Sequence, residues 1–183
     1  MIRVFLALDL PGEARDRLSV LQYLLPLPRR VDADNLHLTL AFLGEVPDAV
    51  LEAAHEAFAA LRLPGFDLNL TGAGLFGGDR PRVAFAGVAP CPPLDRLQAK
   101  VEQAARRAGA EVPARRFIPH VTLGRFAPPP PPEAMALERA VAERAGFRAG
   151  PLPVRDFVLF ETVQGKRVWY RELARYALDA EPA

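Results

Sequence analysis

The chain has 183 residues, half of them apolar and a quarter charged, which is enough for one large core or two small ones. Acidic and basic residues are mixed throughout and the formal net charge is only +1. That excludes the basic stripe of a protein that wraps long nucleic acid, so any nucleic acid ligand should be short or gripped at its end. The single cysteine, Cys91, excludes an intrachain disulfide and a cysteine-based metal cluster, and implies a reducing compartment.

Ile2–Leu8 is a short apolar run ended by Pro11 and reads as a buried strand; Asp9 interrupts it too early for a signal peptide or membrane span. With no other stretch of membrane-spanning length, a cytoplasmic protein without membrane contacts is expected. Ala14, Leu18, Leu21 and Leu25 have helical spacing over about 12–25, stopped by Pro26 and Pro28. Leu36–Leu43 is a second strand closed by Gly44, and a helix follows from Pro47 to about Leu61.

Phe66, Leu68 and Leu70 alternate with Asp67, Asn69 and Thr71 as a half-buried strand, and the glycine-rich stretch 72–78 reads as a mobile turn. That turn lacks the lysine and spacing of a phosphate-cradling loop. Arg82–Val88 is a strand and Leu94–Ala108 a helix. Ile118–Phe126 is a strand that Pro119 should delay until His120. Pro128–Pro132 reads as a stiff connector rather than a polyproline ligand. A helix over about 133–145 and strands over 154–162 and 167–178 complete an α+β order with two halves of similar plan.

Each half carries the pattern H-x-T-x: His37-Leu38-Thr39-Leu40 and His120-Val121-Thr122-Leu123. On a strand, His37 and Thr39 share one face while Leu38 and Leu40 share the other, and the same holds for His120 and Thr122. Two such strands would line a cleft with two imidazoles and two hydroxyls. That set suits in-line attack on a phosphodiester. One neutral imidazole takes a proton from water and one imidazolium protonates the leaving oxygen, because histidine titrates near neutrality. The hydroxyls can donate to the non-bridging oxygens.

No metal or other cofactor is needed, and the chain has no H-x-x-x-H or H-x-x-E-H pair to suggest zinc. His55, the third histidine, lies among Glu52 and Glu56 on a helix and reads as solvent-exposed. Phe5, Phe42, Phe76 and Trp169 are either core residues or stacking platforms for a terminal base.

The stretches RVFLALDLP (3–11), DNLHLTLAFLGEV (34–46), RRFIPHVTLGRF (115–126) and LFETVQGKRVWYREL (159–173) resemble the 2H phosphoesterase superfamily, and within it the RNA 2′,3′-cyclic phosphodiesterases historically called 2′-5′ RNA ligases. The resemblance implies a single bilobal domain over 1–183, pseudo-two-fold, with two antiparallel sheets facing a central cleft and helices outside. It implies hydrolysis of 2′,3′-cyclic phosphate RNA ends to 2′-phosphates, with reversible 2′-5′ ligation as the related reaction; a second reading of the same class is a phosphodiesterase of small cyclic or 2′-5′-linked nucleotides. Its partners are then RNA 3′ ends or small nucleotides, met by a monomer with no obligate protein partner. The alternative is a catalytically idle RNA- or nucleotide-binding module on the same fold.

The residues alone leave acid and base unassigned; the resemblance implies His37 as proton donor and His120 as base. Thr39 and Thr122 match its phosphate-contacting threonines, and Arg125 matches an arginine near the substrate phosphates. Strict alternation points Arg125 away from His120, so only a bulge or strand end after Gly124 would turn it into the cleft; otherwise it is a surface arginine at the end of a strand.

Overall fold

A computed structural model describes residues 1–165 and 167–180; Lys166, within the last of the resembling stretches, lies outside them. Strand β1 (Ile2–Asp9), helix α1 (Gly12–Leu24) and strand β2 (His37–Val46) form the first unit, with a single 3-10 turn at Ala33–Asn35 just before β2. Helix α2 (Asp48–Ala59) leads to strand β3 (Phe66–Phe76). Strand β4 (Val83–Val88), helix α3 (Pro92–Arg107) and strand β5 (His120–Arg125) repeat the strand–helix–strand plan. Helix α4 (Pro131–Glu143) and strands β6 (Arg148–Val154), β7 (Asp156–Val163) and β8 (Trp169–Ala177) follow.

The strands make one eight-stranded sheet, in the order β6-β3-β4-β5-β2-β1-β7-β8, with every pairing antiparallel. Two separate sheets were expected; instead two four-stranded halves are joined through β2 and β5. That join has one register pair, Leu38 opposite Val121. It is narrow because each strand enters the sheet at its histidine and is bulged directly after its threonine.

One face of the sheet packs against the helices. Leu6, Leu8, Leu38, Leu70, Val121 and Leu159 join Leu18, Leu21, Phe58, Leu94, Leu97 and Leu137 in one continuous core. Leu38 and Val121 are fully buried there, each contributing about 1.5–3 kcal/mol by leaving water. The helices present apolar residues at three- and four-residue spacing, as with Leu94, Leu97, Val101 and Ala105 of α3. The opposite face is left for polar groups.

Three elements depart from the sequence expectations. The glycine stretch after Thr71 is strand rather than turn: β3 runs on to Phe76. Gly74 permits this because a Cβ there would lie 2.4 Å from the Phe85 ring of β4. Pro131 and Pro132 belong to the first turn of α4, where a missing N–H costs nothing, so the connector is shorter than the five prolines suggested. Strand β6 was hidden by Pro151 and Pro153; it is an edge strand, where proline is tolerated.

Candidate active site

The polar face of the sheet floors a cavity of about 930 Å³ lined by His37, Thr39, His120, Thr122 and Arg125 together. The strand–helix–strand plan delivers the first residue of β2 and of β5 to the middle of the sheet. Leu38 and Val121, the second residues of the two motifs, pair across the join. Extending that antiparallel register by one residue each way sets His37 opposite Thr122 and Thr39 opposite His120.

Both rings are held alike. The Nδ1 of His37 lies 2.7 Å from the carbonyl oxygen of Asn35, and that of His120 lies 2.7 Å from the carbonyl oxygen of Ile118. A carbonyl can only accept, so Nδ1 carries the proton in each ring and Nε2 is left for the cleft. Nε2 of His37 is 3.1 Å from Oγ1 of Thr39, close enough to accept the hydroxyl proton when the ring is neutral. Aromatic rings wall each imidazole: Phe5 and Tyr170 stand 4.9 and 5.0 Å from His37, and Phe76 and Phe85 stand 5.0 and 5.6 Å from His120.

Burial among these rings pushes the pKa of His37 down to about 4; the Arg125 and Arg15 cations and His120 add to the fall, against the hydrogen bond to Asn35. Burial also lowers His120, with Arg125 and Arg115 contributing. Arg125 thus acts on both rings. Both imidazoles favour the neutral form, chiefly through burial, and an anion in the cleft would offset the part that the cations contribute.

A bulge carries Arg125 into the cleft, and it falls before Gly124 rather than after it. In the β4–β5 ladder Phe85 pairs with Thr122 and Ala84 with Gly124, so Leu123 is an extra residue. The next pairs are in step again, and Arg125 stands opposite Val83. Val83 and Phe85 are two residues apart on β4, so their partners Arg125 and Thr122 share the cleft face. β2 repeats the device: Ala7 pairs with Thr39 and Leu6 with Ala41, making Leu40 the extra residue, and Phe42 arrives on the cleft face opposite Phe5.

Arg115, Arg3, Tyr170 and Phe117 also line the cavity, and sequence patterning had not singled them out. The Arg115 guanidinium lies 5.6 Å from the centre of the Phe42 ring. Tyr170 could have been found only by knowing that β8 returns to the β1 side, since its neighbour Trp169, 49% exposed, looked the better aromatic. His55 is exposed as expected, with Nδ1 2.9 Å from the Tyr176 hydroxyl. Among the described residues no group of three or more His, Cys, Asp or Glu side chains is placed to hold a metal ion, and no helix is long and apolar enough to cross a membrane.

An α+β fold with one antiparallel sheet and two H-x-T-x strands meeting at a cleft defines the class. The profile of the 2′-5′ RNA ligase superfamily matches residues 10–166, and the chain belongs to that family. It is 39% identical over 181 residues, 96% of each chain, to the RNA 2′,3′-cyclic phosphodiesterase of Escherichia coli K12. The crystal structure of E. coli LigT in apo form superposes with a TM-score of 0.79 at 34% identity, covering 97% of both chains. LigT complexed with 3′-AMP superposes equally well, at 0.79 and 33% identity, covering 97% of this chain and 98% of that one.

Proposed function

We propose that the protein hydrolyses 2′,3′-cyclic phosphate ends of RNA, and small 2′,3′-cyclic nucleotides, to 2′-phosphates by two-histidine acid–base catalysis without a metal. The observation that carries this reading is the matched pair of imidazoles, each with Nδ1 tied to a backbone carbonyl and Nε2 left for one shared cleft. The name of the E. coli relative and the 3′-AMP complex of LigT support the substrate class. Both motifs are complete, which favours an enzyme over an idle binding module.

In this mechanism Nε2 of His120 takes a proton from water as its oxygen attacks phosphorus. The bond from phosphorus to O3′ breaks in line, and Nε2–H of His37 delivers its proton to O3′. His37 ends neutral and His120 protonated, and exchange with solvent restores the starting state. Thr39, Thr122 and Arg125 donate hydrogen bonds to the non-bridging oxygens as charge builds there. The substrate must raise His37 from about 4, and its anionic phosphate beside the ring has the right sign to do so.

A 5′-hydroxyl in place of water would give 2′-5′ ligation by the same in-line step. The two four-stranded halves act as lobes of one bilobal unit, and one chain supplies the whole site, so a monomer suffices.

The test is incubation of a cyclic-phosphate-ended oligoribonucleotide, with and without chelator, and product identification by phosphorus NMR. A 2′-phosphate formed equally in chelator is expected. A 3′-phosphate would reverse the substrate's orientation, and activity lost to chelator and restored by zinc would replace acid–base catalysis with a metal.

A further inference from the structure

Gln22 is the buried polar side chain of the described core, 5% exposed at the end of α1. Its Nε2 donates to the carbonyl oxygens of Val31 and Leu123, both at 2.8 Å. The Leu123 oxygen also accepts the Val31 N–H at 2.9 Å. Leu123 is the extra residue of the β5 bulge, the residue that the ladder with β4 passes over. A buried carbonyl left out of a ladder must find donors elsewhere, because leaving it bare is costly. Here the amide of Gln22 and the backbone of Val31 supply them.

The same spot is closed from a second side. A Cβ on Gly124 would lie 2.5 Å from the carbonyl oxygen of Arg29, so the 27–31 segment can lie against the bulge only because residue 124 is glycine. Beyond the bulge the ladder resumes, with Phe126 N–H donating to Arg82 O at 2.9 Å. The other motif strand has a looser counterpart. Gln98 of α3 points Nε2 at the carbonyl oxygen of Leu40, the extra residue of the β2 bulge, at 3.5 Å. In each half a helix glutamine reaches the bulge of the opposite half's motif strand.

We infer that Gln22 is a positioning residue for Arg125: by holding the Leu123 carbonyl it fixes the bulge that turns the Arg125 guanidinium toward the substrate phosphate. This rests on the reading of Arg125 as a phosphate ligand. Without the clamp, β5 can relax toward regular alternation, which points residue 125 to the opposite face. The imidazoles lie before the bulge and keep their own carbonyl partners, so the two rings stay in place.

The test uses Gln22→Met, which keeps length and bulk but removes both donors, and Gly124→Ala, which presses on the bulge from the Arg29 side. Each is made alone and in an Arg125→Met background. Measured are the inhibition constant of inorganic phosphate, KM and kcat for a 2′,3′-cyclic nucleotide, and thermal stability. Losing an aligned charge-assisted contact should weaken phosphate inhibition and lower kcat/KM by about tenfold, and the pH limbs of kcat/KM should move to higher pH because Arg125 no longer lowers both imidazoles. In the Arg125→Met background neither variant should weaken phosphate binding further, although each still lowers stability.

Lower stability with phosphate inhibition unchanged in both single variants would reduce Gln22 to a structural role and overturn the inference. So would a loss that adds in full to that of Arg125→Met. If Arg125→Met alone left phosphate inhibition at the wild-type value, the reading of Arg125 would itself fall, and the positioning role with it. Should Gln22→Met not fold, Gln22→Asn, whose amide is one methylene too short to reach the Leu123 carbonyl, decides the same question.

Discussion

Leu38 and Val121 occupy the same place in the two H-x-T-x motifs and face each other across the centre of the sheet. Continuing that register sets each histidine opposite the other motif's threonine, and the two halves line one cavity. Each threonine is proposed to supply one hydrogen bond and no proton transfer. Thr39→Val and Thr122→Val should therefore each lower kcat/KM by about fivefold to tenfold, the worth of one hydrogen bond of about 1 kcal/mol or slightly more. Steady-state kinetics on a cyclic nucleotide check this, and a loss as deep as that of a histidine variant would give the hydroxyl a larger part.

The pH dependence should differ between the free and the occupied enzyme. Burial and the Arg125 cation lower both imidazoles. A bound phosphodiester brings a negative charge that favours imidazolium. The alkaline limb of kcat, which reports the occupied site, should therefore lie at higher pH than the alkaline limb of kcat/KM, which reports the free enzyme. The limbs belong to the histidine pair rather than to one ring. Coincident limbs would mean that substrate charge does not tune the site.

Stability carries a second trace of the same burial. His37 in the folded protein titrates at about 4, below its ordinary 6.5, so the unfolded chain binds the proton more readily. The stability linked to this group is present above pH 6.5 and is lost as pH falls through 4, by on the order of 3 kcal/mol. Denaturant unfolding at stepped pH should show a shallower loss between those limits in His37→Gln than in the wild type. Equal slopes would show that His37 is not held neutral by the fold.

Much of this site was legible in the chain because it depends on local pattern. The two motifs, the face shared by His37 and Thr39, and the delay of β5 to His120 by Pro119 all follow from short-range rules, and the structure repeats them. Arg125 was not legible: alternation pointed it away, and the bulge that reverses it depends on the partners of the Leu123 carbonyl, which come from Gln22 and Val31 far back in the chain. Tyr170 was hidden for a similar reason, since only the β1–β7–β8 order brings it against His37. β3 ran past its glycines because Phe85 fills the space at Gly74, a contact made by another strand.

The polarity of the pair can be read from leaving-group dependence. If His37 is the acid, its loss should matter little when the leaving oxygen needs no proton. His37→Ala should then act on an aryl phosphodiester with a low-pKa phenol at nearly the wild-type rate, while His120→Ala remains slow on it. The reverse pattern would exchange the two roles.

The central claim, that His37 and His120 jointly carry proton transfer at one phosphate, is tested most directly by turnover of a 2′,3′-cyclic-phosphate-ended oligoribonucleotide. The wild type, His37→Ala, His120→Ala and the double variant should be compared, each checked for native folding. Each single substitution should cut kcat by roughly a hundred- to ten-thousand-fold, the usual worth of a positioned acid or base. The double variant should be little worse than the poorer single one, because the rings act as a unit. Turnover at the wild-type rate in either single variant would contradict the account.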